Sequence, residues 1–122
     1  MLVERDIAMD ELVDQISTAT SLDPAIARKA IGIIVGFLRR EGPADKVATM
    51  IDKLPGAQVL ADENGTGSGG LLGVFNDLAG AGLSMSEIQA VASSFLTFAR
   101  TKIWEREVDE VVRGIPGLGQ FI

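Results

Sequence analysis

Any catalysis by this chain would fall to carboxylates, lysines and hydroxyls, because His, Cys and Tyr are all absent from its 122 residues. Without His, the usual proton shuttle near neutral pH and the commonest transition-metal ligand are missing. Without Cys there is no disulfide, no thiol nucleophile and no thiolate metal site. A Ser–His–Asp triad cannot be assembled. A carboxylate or lysine works as a general acid or base only where its surroundings shift it strongly, and no motif announces such a place. These residue types point to a non-catalytic protein with no cofactor and no metal.

Four clusters still call for a chemical reading. Asp62, Asn64, Thr66 and Gly67 open like a calcium loop, but Gly73 stands at the twelfth position, where Glu belongs. The run reads as a polar linker. The glycines before Leu71 could offer N–H groups to a phosphate at a helix start. The Lys-Ser/Thr of a P-loop is missing and no strand precedes, so a flexible tether is expected. Arg28, Lys29, Arg39, Arg40 and Lys46 form the one basic concentration. Arg39 and Arg40 fall at a helix C-terminus, where cations favour the helix dipole. Arg39, Arg40 and Lys46 are also candidates for a small anion-binding patch. Glu105, Glu107, Asp109 and Glu110 lie beside Arg106 and Arg113 and fan round a helix, which reads as a solvated face.

The net charge is −6, with 17 acidic and 11 basic residues. Both halves are acidic, which disfavours sequence-independent nucleic-acid binding. The longest apolar run, "AIGIIVGFL" from Ala30 to Leu38, is far too short to span a bilayer. The opening "MLVERDIAMDEL" lacks the apolar stretch of a signal peptide, so a cytoplasmic location is expected. Apolar residues make up 47% of the chain and mean hydropathy is +0.28. One domain, 1–122, can bury a core of its own without staples.

The elements that position these residues come twice. Sliding the chain over itself by 61 residues superimposes Leu22 on Leu83, Phe37 on Phe98, Arg39 on Arg100 and Val47 on Val108. Pro55-Gly56 falls on Pro116-Gly117. Upstream the match resumes at offset 62, with Val13 on Phe75 and Ile16 on Leu78. The reading is an all-α, compact bundle of about six helices: two tandem three-helix repeats with a pseudo-twofold relation. Repeat 1 covers about 10–61, a Gly-rich linker 62–70, and repeat 2 about 71–122.

The first helix is expected from Asp10, with Leu12, Val13 and Ile16 inward. Asp23 caps the second and Pro24 occupies its first position, where the missing N–H costs nothing. It runs to about Glu41, where Gly42-Pro43 stops it. Its counterpart opens with Ser84 and Glu87 in a capping box. There Ile103-Trp104 replaces Gly-Pro, so this helix is expected to run further or turn less sharply, with Trp104 over the joint. The third helix carries Val47, Met50, Ile51 and Leu54. The tail after each Pro-Gly is expected to lay its apolar residues on the neighbouring copy: Val59 and Leu60, then Phe121 and Ile122.

Two faces are interface candidates. Gly32 and Gly36, with Ser93 and Thr97 at the matching places, make small-residue stripes that admit a close helix crossing, between the copies or between subunits. Ile26 and Ile33 stand where Glu87 and Ser94 stand in the twin. That face is expected inside, with the first long helix central; a homodimer or partner surface is the alternative.

"MDELVDQISTATSLDPAIARKAIGIIVGFL" resembles the N-terminal helix-turn-helix of histone-like HU/IHF proteins, a part that dimerises in that family; the resemblance implies a helical-hairpin packing mode and no more. Nothing like their basic DNA-gripping arms follows. Taken with the Pro-Gly after each third helix and the closing "IPGLGQF", the chain resembles small bacterial all-helical domains of unknown function, the 2267 and 2780 types. That resemblance carries no activity. The expected function is a non-catalytic helical interaction or scaffold protein that binds a protein partner or self-associates as a homodimer. The alternatives are a carrier of a small apolar ligand or lipid between helices, and an HU-like nucleic-acid binder, which the charge disfavours.

Overall fold

The computed structural model describes residues 4–54, 56–64, 70–103 and 105–115. Seven helices and no strand occur among them: α1 Glu4–Thr20, α2 Pro24–Glu41, α3 Ala44–Lys53, α4 Ala57–Asn64, α5 Gly70–Gly80, α6 Met85–Lys102 and α7 Glu105–Arg113. Residues 1–3, Pro55, 65–69, Trp104 and 116–122 lie outside the described residues. With them lie the expected seats of Trp104, Phe121 and Ile122.

The helix ends follow from local chemistry. The Ala25 N–H donates to Asp23 Oδ1 at 2.8 Å, and Pro24 opens α2. The Glu87 N–H donates to Ser84 Oγ at 3.3 Å while the Ser84 N–H donates to Glu87 Oε1 at 2.8 Å, a complete capping box. α1 begins at Glu4, earlier than expected. The stretch before Asp10 contains no Gly or Pro, so nothing stops the helix there.

α6 does not run on. It stops at Lys102, 61 residues after α2 stops at Glu41. Gly42 leaves α2 at φ −85°, ψ 171°, and Ile103 leaves α6 at φ −135°, ψ 169°. A β-branched residue is at ease in that extended conformation, and burying the Ile103 side chain, 9% exposed, replaces the missing breaker. Each capping N–H reaches back four residues: Gly42 to the Leu38 carbonyl at 2.8 Å, Ile103 to the Ala99 carbonyl at 2.9 Å.

The expected tail after Gly56 is a helix, α4, which raises the count to seven. It places Ala57, Leu60 and Ala61 on one face, and all three are buried, while Val59 points away and is 53% exposed. Its main partner is α2 of the same half, so the expectation that Val59 and Leu60 lie on the neighbouring copy is overturned. The linker is shorter than 62–70, because Asp62 to Asn64 complete α4 and Gly70 opens α5.

α2 is the hub. It packs against α1, α3, α4, α5 and α6. Across the halves, α1 lies on α6 and α5 lies on α2, while α2 meets α6 and α3 meets α7. At the α3–α7 joint Gly114 leaves no room for a Cβ, which would stand 2.5 Å from Pro43 Cγ.

The turns before the long helices share a backbone inversion: Ser21 has φ +61° and Gly82, 61 residues on, φ +106°. Thr20 and Ser17 brace the first turn, since the Leu22 N–H donates to Thr20 Oγ1 and Ser17 Oγ donates to the Leu22 carbonyl. A left-handed conformation costs an L-residue about 1–2 kcal/mol. Ser21→Gly therefore stabilises the fold by about 0.5–1 kcal/mol, and Gly82→Ala destabilises it by about 1 kcal/mol. Urea unfolding of the two variants checks this, and a shift of both midpoints in the same direction would contradict it.

Candidate functional site

Among the described residues no polar or charged side chain is buried, and no buried side-chain nitrogen or oxygen lacks a partner. The carboxylates and lysines that could do chemistry sit where water screens them. Many are engaged with one another. Arg39 Nη1 meets Asp62 Oδ1 at 2.8 Å, Arg40 Nε meets Glu41 Oε2 at 3.5 Å, and Lys46 Nζ meets Glu110 Oε2 at 3.0 Å. The candidate anion patch thus consists of three cations, each facing a carboxylate of its own chain. Asp109 likewise meets Arg100 at 3.4 Å. Asp62, the first residue of the calcium-like run, lies on α4 opposite Arg39.

The Gly32/Gly36 stripe is buried. Arg28, Gly32, Gly36 and Arg39 share one face of α2, at spacings of four, four and three. Arg28 Nη2 reaches Glu63 Oε1 at 3.7 Å and Arg39 reaches Asp62, both on the last turn of α4. α4 therefore crosses the face that the two glycines open. It brings its own small pair, Ala57 and Ala61, each 0% exposed. The close crossing lies inside the first half, not between the copies or between subunits as expected. Ser93 and Thr97 are exposed on α6, so the matching stripe carries no crossing.

The Ile26/Ile33 face is inside: Ile33 is 6% exposed, and Ile26 is partly buried against the core. The first long helix is central, which accounts for the apolar surplus that suggested a partner surface.

A cleft lies between α2, α5 and α6; the sequence allowed a pocket between helices but did not point to these residues. Its wall is entirely apolar, including Ile34, Phe37, Val74, Phe75, Ile88 and Phe95. It encloses about 30 Å³, room for a water molecule or two. α5 stands slightly off: Phe75 is half-buried, whereas its counterpart Val13 on α1 is 7% exposed. Leu72, one turn before Phe75, is 73% exposed, and Met85, one turn before Ile88, is 59% exposed. Two of the three helices that wall the cleft, α5 and α6, thus carry an apolar side chain out to solvent. A signal for this existed. At offset 62 Leu72 falls on Asp10, an apolar residue where the twin is charged.

No protein-family model, no curated protein and no solved structure matches this chain. The resemblances to HU/IHF and to the small bacterial helical families rest on their motifs alone. No helix of the described residues is long and apolar enough to cross a membrane.

Filling the Gly32/Gly36 face should push α4 away. Gly36→Val is expected to cost about 2 kcal/mol, within the range for overpacked cores, while Thr97→Val on the exposed stripe changes stability by less than about 0.5 kcal/mol. Equal losses in paired urea titrations would contradict the crossing.

Proposed function

We propose that this chain is a non-catalytic helical interaction module that associates with a second copy of itself, and that the α5–α6 face is where it does so. The observation that carries this reading is the open apolar cleft, two of whose helices, α5 and α6, also carry the exposed Leu72 and Met85 one turn before cleft residues Phe75 and Ile88. An open apolar cleft with exposed apolar side chains on two of its helices favours a partner that covers them. A second copy fits because the groove wall itself carries no charge, so two acidic chains can meet there without opposing like charges.

We also infer a tandem origin of the two halves. Matched helix ends and cap bonds at offset 61 support it, as does the α1–α6 and α5–α2 packing.

Carriage of a small apolar ligand would use the same cleft. About 30 Å³ is far below the roughly 300–1,000 Å³ of sites for drug-sized ligands, so self-association is the better-supported use. Nucleic-acid binding finds little support, since Arg28, Arg39, Arg40, Lys46 and Arg100 each face a carboxylate.

Light scattering coupled to size exclusion tests the proposal. The parent chain should elute as a dimer whose fraction grows with concentration. Leu72→Glu with Met85→Glu should shift it to monomer with unchanged helicity, because both side chains are already exposed. A parent chain that stays monomeric at high concentration, or a dimer indifferent to the two changes, would overturn it.

A further inference from the structure

Met50 and Met85 stand at opposite extremes of exposure. Met50 is 1% exposed in the core, and Met85 is 59% exposed at the start of α6. The chain has no Cys, so no thiol competes with its thioethers for an oxidant. An exposed thioether is open to a peroxide, and a buried one is shielded. Met85 has no visible task in the fold. It is the first residue of α6, and 61 residues earlier its place is held by Pro24, the first residue of α2. The start of α6 is secured by the Ser84–Glu87 capping box, which uses no atom of the Met85 side chain. Ile88, three residues on and so on the same helix face, is 2% exposed and lines the cleft. The apolar stripe that α6 turns to the cleft therefore ends in a thioether held in water.

We propose that Met85 is a modification site, oxidised to the sulfoxide by a hydroperoxide, and that this oxidation switches off association through the α5–α6 face. The regulation rests on the self-association reading; the oxidation site itself does not. With hydrogen peroxide the step balances. The thioether sulfur attacks one peroxide oxygen, the O–O bond breaks and an S–O bond forms. Sulfur gives up an electron pair, and the departing hydroxide takes the proton of the transferred oxygen and leaves as water. The product carries a polar acceptor where a partner needs apolar surface. Covering that oxygen without a donor costs free energy, and the burial of an apolar side chain no longer offsets it. The fold itself is indifferent, because Met85 already lies in water.

The test treats the full chain with hydrogen peroxide while it is dilute, so that Met85 is free of any second copy. Peptide mass spectrometry then reads each methionine. Met85 should gain one oxygen while Met50 gains none. The protein is concentrated, and light scattering gives the dissociation constant of treated and untreated chain. The expected result is a rise of about tenfold or more, with helicity kept. Methionine sulfoxide reductases for both epimers, with a dithiol, should restore association. In Met85→Leu, peroxide should leave that variant's own dissociation constant where it started. Met9→Leu with Met50→Leu, which retains Met85, should keep the full response. The proposal is overturned if Met50 is oxidised as readily as Met85, if the sulfoxide chain associates as tightly as the untreated one, or if Met85→Leu still responds to peroxide. Association that survives oxidation of Met85 yet is lost in Leu72→Glu with Met85→Glu sinks this inference and leaves the α5–α6 reading standing. An untreated chain that stays monomeric at high concentration defeats both.

Discussion

A helix that is apolar on every side has to be surrounded, and this constraint organises the molecule. Nine consecutive residues of α2, Ala30 to Leu38, are buried, which covers the full circumference of the helix over more than two turns. Each large side chain there contributes roughly 1.5–3 kcal/mol by leaving water. One neighbour cannot cover such a surface, and five helices pack on it. The glycines are the exception that completes the enclosure. Gly32 and Gly36 each cost about 1 kcal/mol relative to Ala within a helix, and α4 settles against the flat face they leave.

The same constraint explains why the two long helices, α2 and α6, do not play equal roles. α6 has the length and the end points of α2, yet Ser93, Thr97 and Arg100 on it remain exposed. It needs cover on one side only. The surplus Ile26 and Ile33 of α2, against Glu87 and Ser94 of α6, mark which helix is enclosed. α5 also differs from α1. Where α1 seats Val13 at 7% exposure, α5 leaves its counterpart Phe75 only partly buried beside the cleft.

Local chemistry made much of this legible beforehand. Asp23-Pro24, the Ser84–Glu87 box and Gly42-Pro43 act within a few residues, so their effects could be read one by one. Helical spacing placed Leu12, Val47, Met50 and Leu54 inward for the same reason. Partner choice was harder to read, because it depends on what lies across space. Val59 and Leu60 were legible as apolar, yet only the helical twist of α4 separates the exposed one from the buried one. The small-residue stripe announced a close crossing without naming α4 as its occupant. The candidate site was the least legible part: the cleft depends on how α2, α5 and α6 meet across space, and only Leu72 opposite Asp10 hinted at it.

Native-state hydrogen exchange measures the enclosure of α2 most directly. The amides of Ala30 to Leu38 should be the slowest in the chain and should exchange only through global unfolding, while those of α5 and α6 open more readily. If α2 exchanged through local opening, or more quickly than α6, the account of α2 as the enclosed hub would be wrong.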